Sequence, residues 1–350
     1  MGTVNASRCV GMTRLLIRFT QPLLHPTRNY AKPFQKGWHM LSEILTNFTH
    51  AAVVVFGLLT LLWAISVAVK DASLIDIFWG FGFLVVAAVC LYLADVKTPY
   101  LILLAAMPII WGMRLTLYLA KRNLGHGEDK RYVSMRRRAE KKGMSEMAWR
   151  LRTLFTVYFG QGVLIMIVSA PIWVAMATAH NLPKKGQGWV MYPPFDKGVT
   201  ADGLPILGSF SSLNEIGTVV IGLLSILGAL LWLIGFLFEA IGDWQLSRFL
   251  KKHKDYDGPK EDKPVLDTGL WKYTRHPNYF GNACMWWGIW LVACQAPWGW
   301  ATIFAPIMMT LLLTKVSGRD LLERDMGRRK SYQDYIAKTS GFFPMPPKTG

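Results

Sequence analysis

The sequence predicts an all-α fold that crosses a membrane about seven times. Three observations predict it. Of 350 residues, 52% are hydrophobic, and the mean hydropathy is +0.26, whereas soluble domains of this size fall well below zero. Seven apolar runs are each long enough to cross ~30 Å of hydrocarbon as a helix. None alternates with period two, so a closed barrel is excluded and helices must satisfy the backbone in lipid.

The elements follow in order. Residues 1–50 carry Arg8, Arg14, Arg18, Arg28, Lys32 and Lys36 against one acid, Glu43. Such a leader resembles a mitochondrial or plastid presequence; the other reading is a plain N-terminal extension. The transmembrane domain, 51–316, holds runs near 51–69, 74–94, 99–120, 153–179, 216–241, 277–295 and 298–316. Residues 317–350 form an amphipathic C-terminal segment that either covers the mouth of a cavity or lies on the membrane surface. There is no internal repeat and no separate soluble domain.

The net charge of +17 lies in the segments between the runs. No recognition motif accompanies it, so nucleic acid is not the partner. Segments on one side carry 28 basic residues and those on the other carry 10. The positive-inside rule then puts the C-terminus in the cytosol, the N-terminus outside, and the Gly/Pro-rich stretch 181–215 in an exterior loop. The expected location is an organelle or endoplasmic reticulum membrane in a eukaryote, or the inner membrane in a bacterium. Cys9, Cys90, Cys284 and Cys294 show no metal-binding spacing, and the last three read as small packing residues.

Charged residues inside a span usually face a cavity or a partner. Here they are Asp76, Arg114, Glu239 and Asp243, all at cytosolic helix ends, and Asn278 and Asn282 start the sixth span on that side. Together they imply a polar cavity opening to the cytosol; taken singly, each is also explained by snorkelling. Glu239 and Asp243 are four apart, hence on one helical face. Two stacked carboxylates repel unless a cation is near, and Arg114, Arg248 and Arg275 are the candidates. Such a pair accepts hydrogen bonds from ribose or amide groups, or forms an arginine clamp between helices.

In "TRHPNYFGN", Thr274 to Asn282, Pro277 suits a first helical turn. Asn278 and Asn282 share a face, and Gly281 and Ala283 admit a close neighbour. A helix N-terminus beside Arg275 and His276 favours an anion such as phosphate, or the motif only caps the helix. In "RLTLYLAKRNLGHGEDKRY", Arg114 and Tyr118 share a face. The turn through Gly125 and Gly127 is lined by Lys121, Arg122, Lys130 and Arg131, a basic setting for phosphate. It is neither a Rossmann fingerprint nor a P-loop.

"GLWKYTRHPNYFGN", with "GDWQLSRF" before it and "SYQDYIAKTSGFFP" after it, resembles the DUF1295 branch of the steroid 5α-reductase superfamily. The Trp79–Phe83 segment and Arg114–Asp129 are similar to the same branch, and the resemblance spans about 70–348. It implies a seven-helix membrane enzyme with a cytosolic NADPH pocket that reduces a carbon–carbon double bond in a lipid-like substrate. The positions matching the cofactor pocket are Arg114, Tyr118, Asn123 and Gly125, then Asp243, then Asn278 and Asn282. Steroid reductases have a carboxylate where this chain has Asn282, and a ketone-polarising tyrosine where it has Trp111. "RHPNYFG" also resembles the isoprenylcysteine carboxyl methyltransferases, in which such a motif and a C-terminal segment like that of Glu323, Tyr332 and Tyr335 bind S-adenosylmethionine.

The resulting assignment places a diphosphate near Lys121 and Arg122, with Asp243 and Arg248 on ribose or adenine and Asn278 and Asn282 on the nicotinamide carboxamide. Arg275, His276, Tyr279 and Tyr335 complete the cofactor set, and Asp76 and Glu239 are the candidate acids. The alternatives are an S-adenosylmethionine-dependent methyltransferase and a non-catalytic lipid-binding protein. Membrane lipids are the other expected partners.

Overall fold

A computed structural model describes residues 31–179 apart from Val96, and 221–348 apart from Ser317 and Arg328. The expected exterior loop 181–215 and most of the leader lie outside the described residues. The chain divides into two units, Met1–Ser42 and Glu43–Gly350, and every contact below lies within the second.

The described residues form helices and no strands. In order they are α1 (Ala31–Val69), α2 (Leu74–Leu93), α3 (Pro99–Asn123), α4 (Lys130–Glu140), α5 (Glu146–Thr153), α6 (Gly160–Val168), α7 (Ala170–Thr178), α8 (Leu223–Lys252), α9 (Pro277–Ala293), α10 (Phe304–Leu311), α11 (Arg319–Met326) and α12 (Lys330–Lys338). A π-helical turn, Leu154–Phe159, joins α5 to α6. Among the described residues, six helical stretches are long and apolar enough to cross a membrane: Trp38–Val69, Leu74–Leu93, Pro99–Asn123, Glu146–Val168, Leu223–Lys252 and Gly299–Arg324. The remaining expected span, the sixth at 277–295, is α9, a helix of 17 residues, about 25 Å long at 1.5 Å per residue.

Three expected boundaries move. The run expected to end near 241 continues as helix α8 to Lys252. α1 begins at Ala31 rather than near 51, because the polar residues of its first turns are compatible with a helix although not with lipid. The run 153–179 begins at Glu146 and breaks at Ser169, where Pro171 opens α7 without a backbone donor.

Glycines set how closely the helices approach. On α8, Gly228, Gly235 and Gly242 recur every seven residues, a spacing that keeps one stripe against a partner helix. They face α9 in antiparallel order. A Cβ at Gly228 would lie 2.6 Å from the Gly288 carbonyl oxygen, and one at Gly235 would lie 2.4 Å from that of Gly281. Gly242 packs on Pro277. On the other side of the bundle, a Cβ at Gly112 of α3 would lie 2.4 Å from the Gly80 oxygen of α2. Small residues thus let backbones touch, as membrane helices require when no hydrophobic force drives them together. Phe83, Trp111 and Trp286 fill the space between the two pairs, with ring centroids 4.7–5.6 Å apart.

Candidate functional site

The glycine contacts bring Glu239 and Asp243 of α8 against Asn282 and Asn278 of α9, and Arg114 of α3 reaches both acids. Its Nη1 donates to Glu239 Oε1 at 2.6 Å, and its Nη2 donates to Asp243 Oδ2. Asn278 Nδ2 donates to Asp243 Oδ1 at 3.1 Å, and Asn282 Nδ2 donates to Glu239 Oε2 at 2.9 Å. The Trp111 indole donates to both Glu239 oxygens, at 3.2 and 3.1 Å. Glu239, Asp243 and Asn282 are all buried. One guanidinium therefore serves two carboxylates that would otherwise repel one turn apart, and donors fill the remaining lone pairs. The arginine clamp is thus formed between three helices.

Two buried atoms beside this network have no hydrogen-bond partner: Asn282 Oδ1, an acceptor, and Trp286 Nε1, a donor. They lie one turn apart on α9, hence on one face. The Asn282 orientation is fixed by chemistry, since only its amide NH₂ can face a carboxylate. A buried unpaired polar atom costs on the order of 1–3 kcal/mol, so this donor and this acceptor each lack a complement within the described residues.

The other sequence-derived site residues distribute around this centre. Tyr118 lies 5.8 Å under the Arg114 guanidinium. Tyr279, whose amide donates to Asn278 Oδ1 at 3.0 Å, sits within electrostatic range of Arg122, Asp243, Arg131 and Tyr118. Arg122 bonds Asn123 Oδ1 at 3.1 Å in the exposed last turn of α3. Arg248 turns outward and stacks on Trp244 at 5.0 Å, one turn beyond Asp243. Asp76 belongs to a separate cluster. It accepts from Arg131 Nη2 at 2.6 Å and from the Tyr132 hydroxyl at 2.9 Å. Burial, and then the Asp76 charge, push the Tyr132 phenol up, so it stays protonated and donates.

Arg275 and His276 face the C-terminal segment. Arg275 Nε and Nη2 grip Glu323 of α11 at 2.9 and 3.0 Å, and Nη1 donates to the Thr339 and Ile336 carbonyls. His276 Nε2 donates to Glu323 Oε1 at 2.7 Å and stacks on Tyr279 with centroids 5.3 Å apart. Tyr335, whose phenol is pushed up by burial, donates to the Trp271 carbonyl. Thr274, in turn, donates to the Phe342 carbonyl at 2.8 Å. The segment after Gly318 is therefore fastened over "TRHPNYFGN" rather than spread on a surface.

Sequence reasoning did not assign Trp111 or Trp286 to the site. Trp111 had a signal, because it stands three residues before Arg114 and shares its face. Trp286 had one too, four residues beyond Asn282.

The fold and site define a multi-pass helical membrane protein with a buried arginine–dicarboxylate–diasparagine network at one end of its bundle. The chain belongs to the DUF1295 family, whose model, described as a protein of unknown function, matches residues 62–191 and 202–339. It is also similar to an uncharacterized protein, C594.04c, of Schizosaccharomyces pombe, with 22% identity over 318 residues, covering 85% of this chain and 79% of that one. No solved structure matches the chain.

Proposed function

We propose that this protein is a membrane-bound, NADPH-dependent reductase of a carbon–carbon double bond in a lipid-like substrate. The observation that carries the reading is the unpaired couple Asn282 Oδ1 and Trp286 Nε1 beside the Arg114 network. A carboxamide is a matching group, because its NH₂ donates to the asparagine oxygen and its carbonyl accepts from the indole. The resemblance to the steroid 5α-reductase superfamily supplies the identity of that carboxamide as nicotinamide.

A reduced nicotinamide supplies a hydride when bound; the rest falls to this chain. Asn282 and Trp286 fix the ring through its amide. Arg114 holds Glu239 and Asp243 in place, and Asp243 and Asn278 offer acceptors and donors toward ribose. Arg122 and Tyr279 line the rim where a diphosphate meets positive charge. Asp76, with Tyr132 as its proton-bearing neighbour, is the candidate acid toward the substrate. The 28-to-10 bias in basic residues orients this end toward the cytosol, where a soluble dinucleotide is available.

The rival cofactor is S-adenosylmethionine, whose motif in the methyltransferases this chain resembles includes the counterparts of Arg275, His276 and Glu323. Purified protein titrated with each cofactor tests the reading. Saturable binding of NADPH alone supports the reductase; saturable binding of S-adenosylmethionine alone overturns it.

A further inference from the structure

Arg137, Arg138, Lys141 and Lys142 put four cations within six residues at the end of α4. All four are exposed, whereas Tyr132 and Ala139 on the inner side of the helix are buried. The acids around them are engaged elsewhere: Glu128 pairs with Arg136, Asp76 and Asp129 pair with Arg131, and Glu146 pairs with Arg150. Glu140 is the only acid in α4 itself. A helix C-terminus favours a cation, but cations one turn apart, such as Arg137 and Lys141, repel each other. The positive-inside bias asks only for basic residues somewhere in this segment. It does not ask for an ordered array of them on the outer side of a helix.

The array is held in place from beneath. The Tyr132 hydroxyl donates to Asp76 of α2 at 2.9 Å, and Glu128, the partner of Arg136, accepts from the Ala72 amide at 3.0 Å. After the turn at Gly143, where φ is +77°, α5 is tied to α1. Trp63 Nε1 donates to the Arg150 carbonyl at 2.9 Å, and Arg150 Nη1 donates to the Val67 carbonyl at 3.1 Å. On the outer side, Met147, Leu151 and Phe155 recur every four residues and are 62%, 46% and 63% exposed. They form one apolar stripe, and the stretch Glu146–Val168 is long and apolar enough to cross a membrane. Acyl chains therefore reach the first turn of α5. Lys142 stands five residues before Met147, so the headgroup layer of that leaflet lies beside the end of α4. Arg152, exposed beside the stripe, is long enough to reach the same layer.

We propose that the end of α4, with Arg152, is a docking surface for anionic phospholipids of the leaflet that flanks α5. The cations take the headgroup, and the stripe from Met147 to Phe155 takes the acyl chains. The stripe is what selects a lipid over a soluble polyanion, which would meet the cations and leave the apolar residues uncovered. This surface does not depend on the reductase reading.

The test uses the full chain in phosphatidylcholine nanodiscs doped with a photoreactive lipid, either phosphatidylserine or phosphatidylcholine, with identical diazirine-bearing chains. In low salt the phosphatidylserine probe is expected to label peptides covering 144–155 about fivefold or more over the phosphatidylcholine probe, the pull of a single surface cation. In about 1 M salt, where the screening length falls to about 3 Å, that preference should shrink toward unity. Both measurements use the parent protein and need no variant. The quadruple variant Arg137→Gln, Arg138→Gln, Lys141→Gln, Lys142→Gln should lose the preference, the double variant Arg137→Lys, Arg138→Lys should keep it, and so should Lys97→Gln, which lies on another segment. A monodisperse gel-filtration peak confirms that each variant folds. Equal labelling by the two probes in low salt overturns the proposal, and so does a preference that survives in the quadruple variant. Equal labelling together with capture of a short oligonucleotide through the same four residues would make the partner a nucleic acid instead. None of these outcomes bears on NADPH binding, which is measured separately.

Discussion

Asn282 donates to Glu239 at 2.9 Å while its own carbonyl oxygen stays buried and unpaired. The residue is thus half committed to the protein and half available. Asn282→Asp would replace the donor by a third acceptor against an anion. We expect a loss of about 1–3 kcal/mol of stability, read as a lower midpoint in thermal unfolding followed by tryptophan fluorescence. An unchanged midpoint would remove the Asn282–Glu239 bond from the account.

Among the described residues, Arg114 is the cation placed between two buried acids. Removing it strands both, and breaking a buried pair costs about 3–5 kcal/mol. Arg114→Met should therefore yield little folded protein. The triple variant Arg114→Met, Glu239→Gln, Asp243→Asn should recover much of that loss, because it leaves no unpaired charge. Yields of monodisperse protein after gel filtration check this. If the triple variant is worse than the single, the network holds the helices by some other interaction.

Gly235 meets the Gly281 backbone, and a methyl group there has 2.4 Å in which to fit. Gly235→Ala should push α8 from α9 and destabilise the protein by about 1–3 kcal/mol. Gly57→Ala, with nothing within 4 Å of the added carbon, should show no loss in the same melt. Equal behaviour of the two would mean that the α8–α9 approach does not depend on the glycine.

Glu323 joins α11 to Arg275 and His276. Glu323→Ala should loosen the C-terminal segment without unfolding the spans. Limited proteolysis should then cut within 319–348 several-fold faster than in the parent. Unaltered cutting would show that Thr274, Tyr335 and the Arg275–carbonyl bonds hold the segment unaided.

The spans were legible because lipid allows few solutions: long apolar runs must be helices. Glu239 with Asp243 and Asn278 with Asn282 were legible as same-face pairs from their spacing of four. Their meeting depends on glycines that the sequence reading did not single out, since Gly228, Gly235 and Gly242 face Gly288, Gly281 and Pro277 in one register. Other parts were hidden for physical reasons. The acid that meets Arg275 and His276 is Glu323, nearly fifty residues away; the methyltransferase resemblance singled it out, but no local pattern pairs it with them. Asp76 likewise finds Arg131 and Tyr132 across a turn whose path depends on α4. The indoles of Trp111 and Trp286 were hard to single out in a chain with 15 tryptophans, although each stands at helical spacing from a site residue, Arg114 and Asn282. The start of α1 was missed because an apolar pattern reports where lipid begins, not where helix begins.

The most direct test of the central claim is a map of the protein purified in the presence of NADPH, read at the space between Asn282 and Trp286. The reductase account predicts a nicotinamide carboxamide there, its NH₂ on Asn282 Oδ1 and its oxygen on Trp286 Nε1. A lone water bridging the two atoms, with the dinucleotide bound elsewhere or not at all, would contradict it.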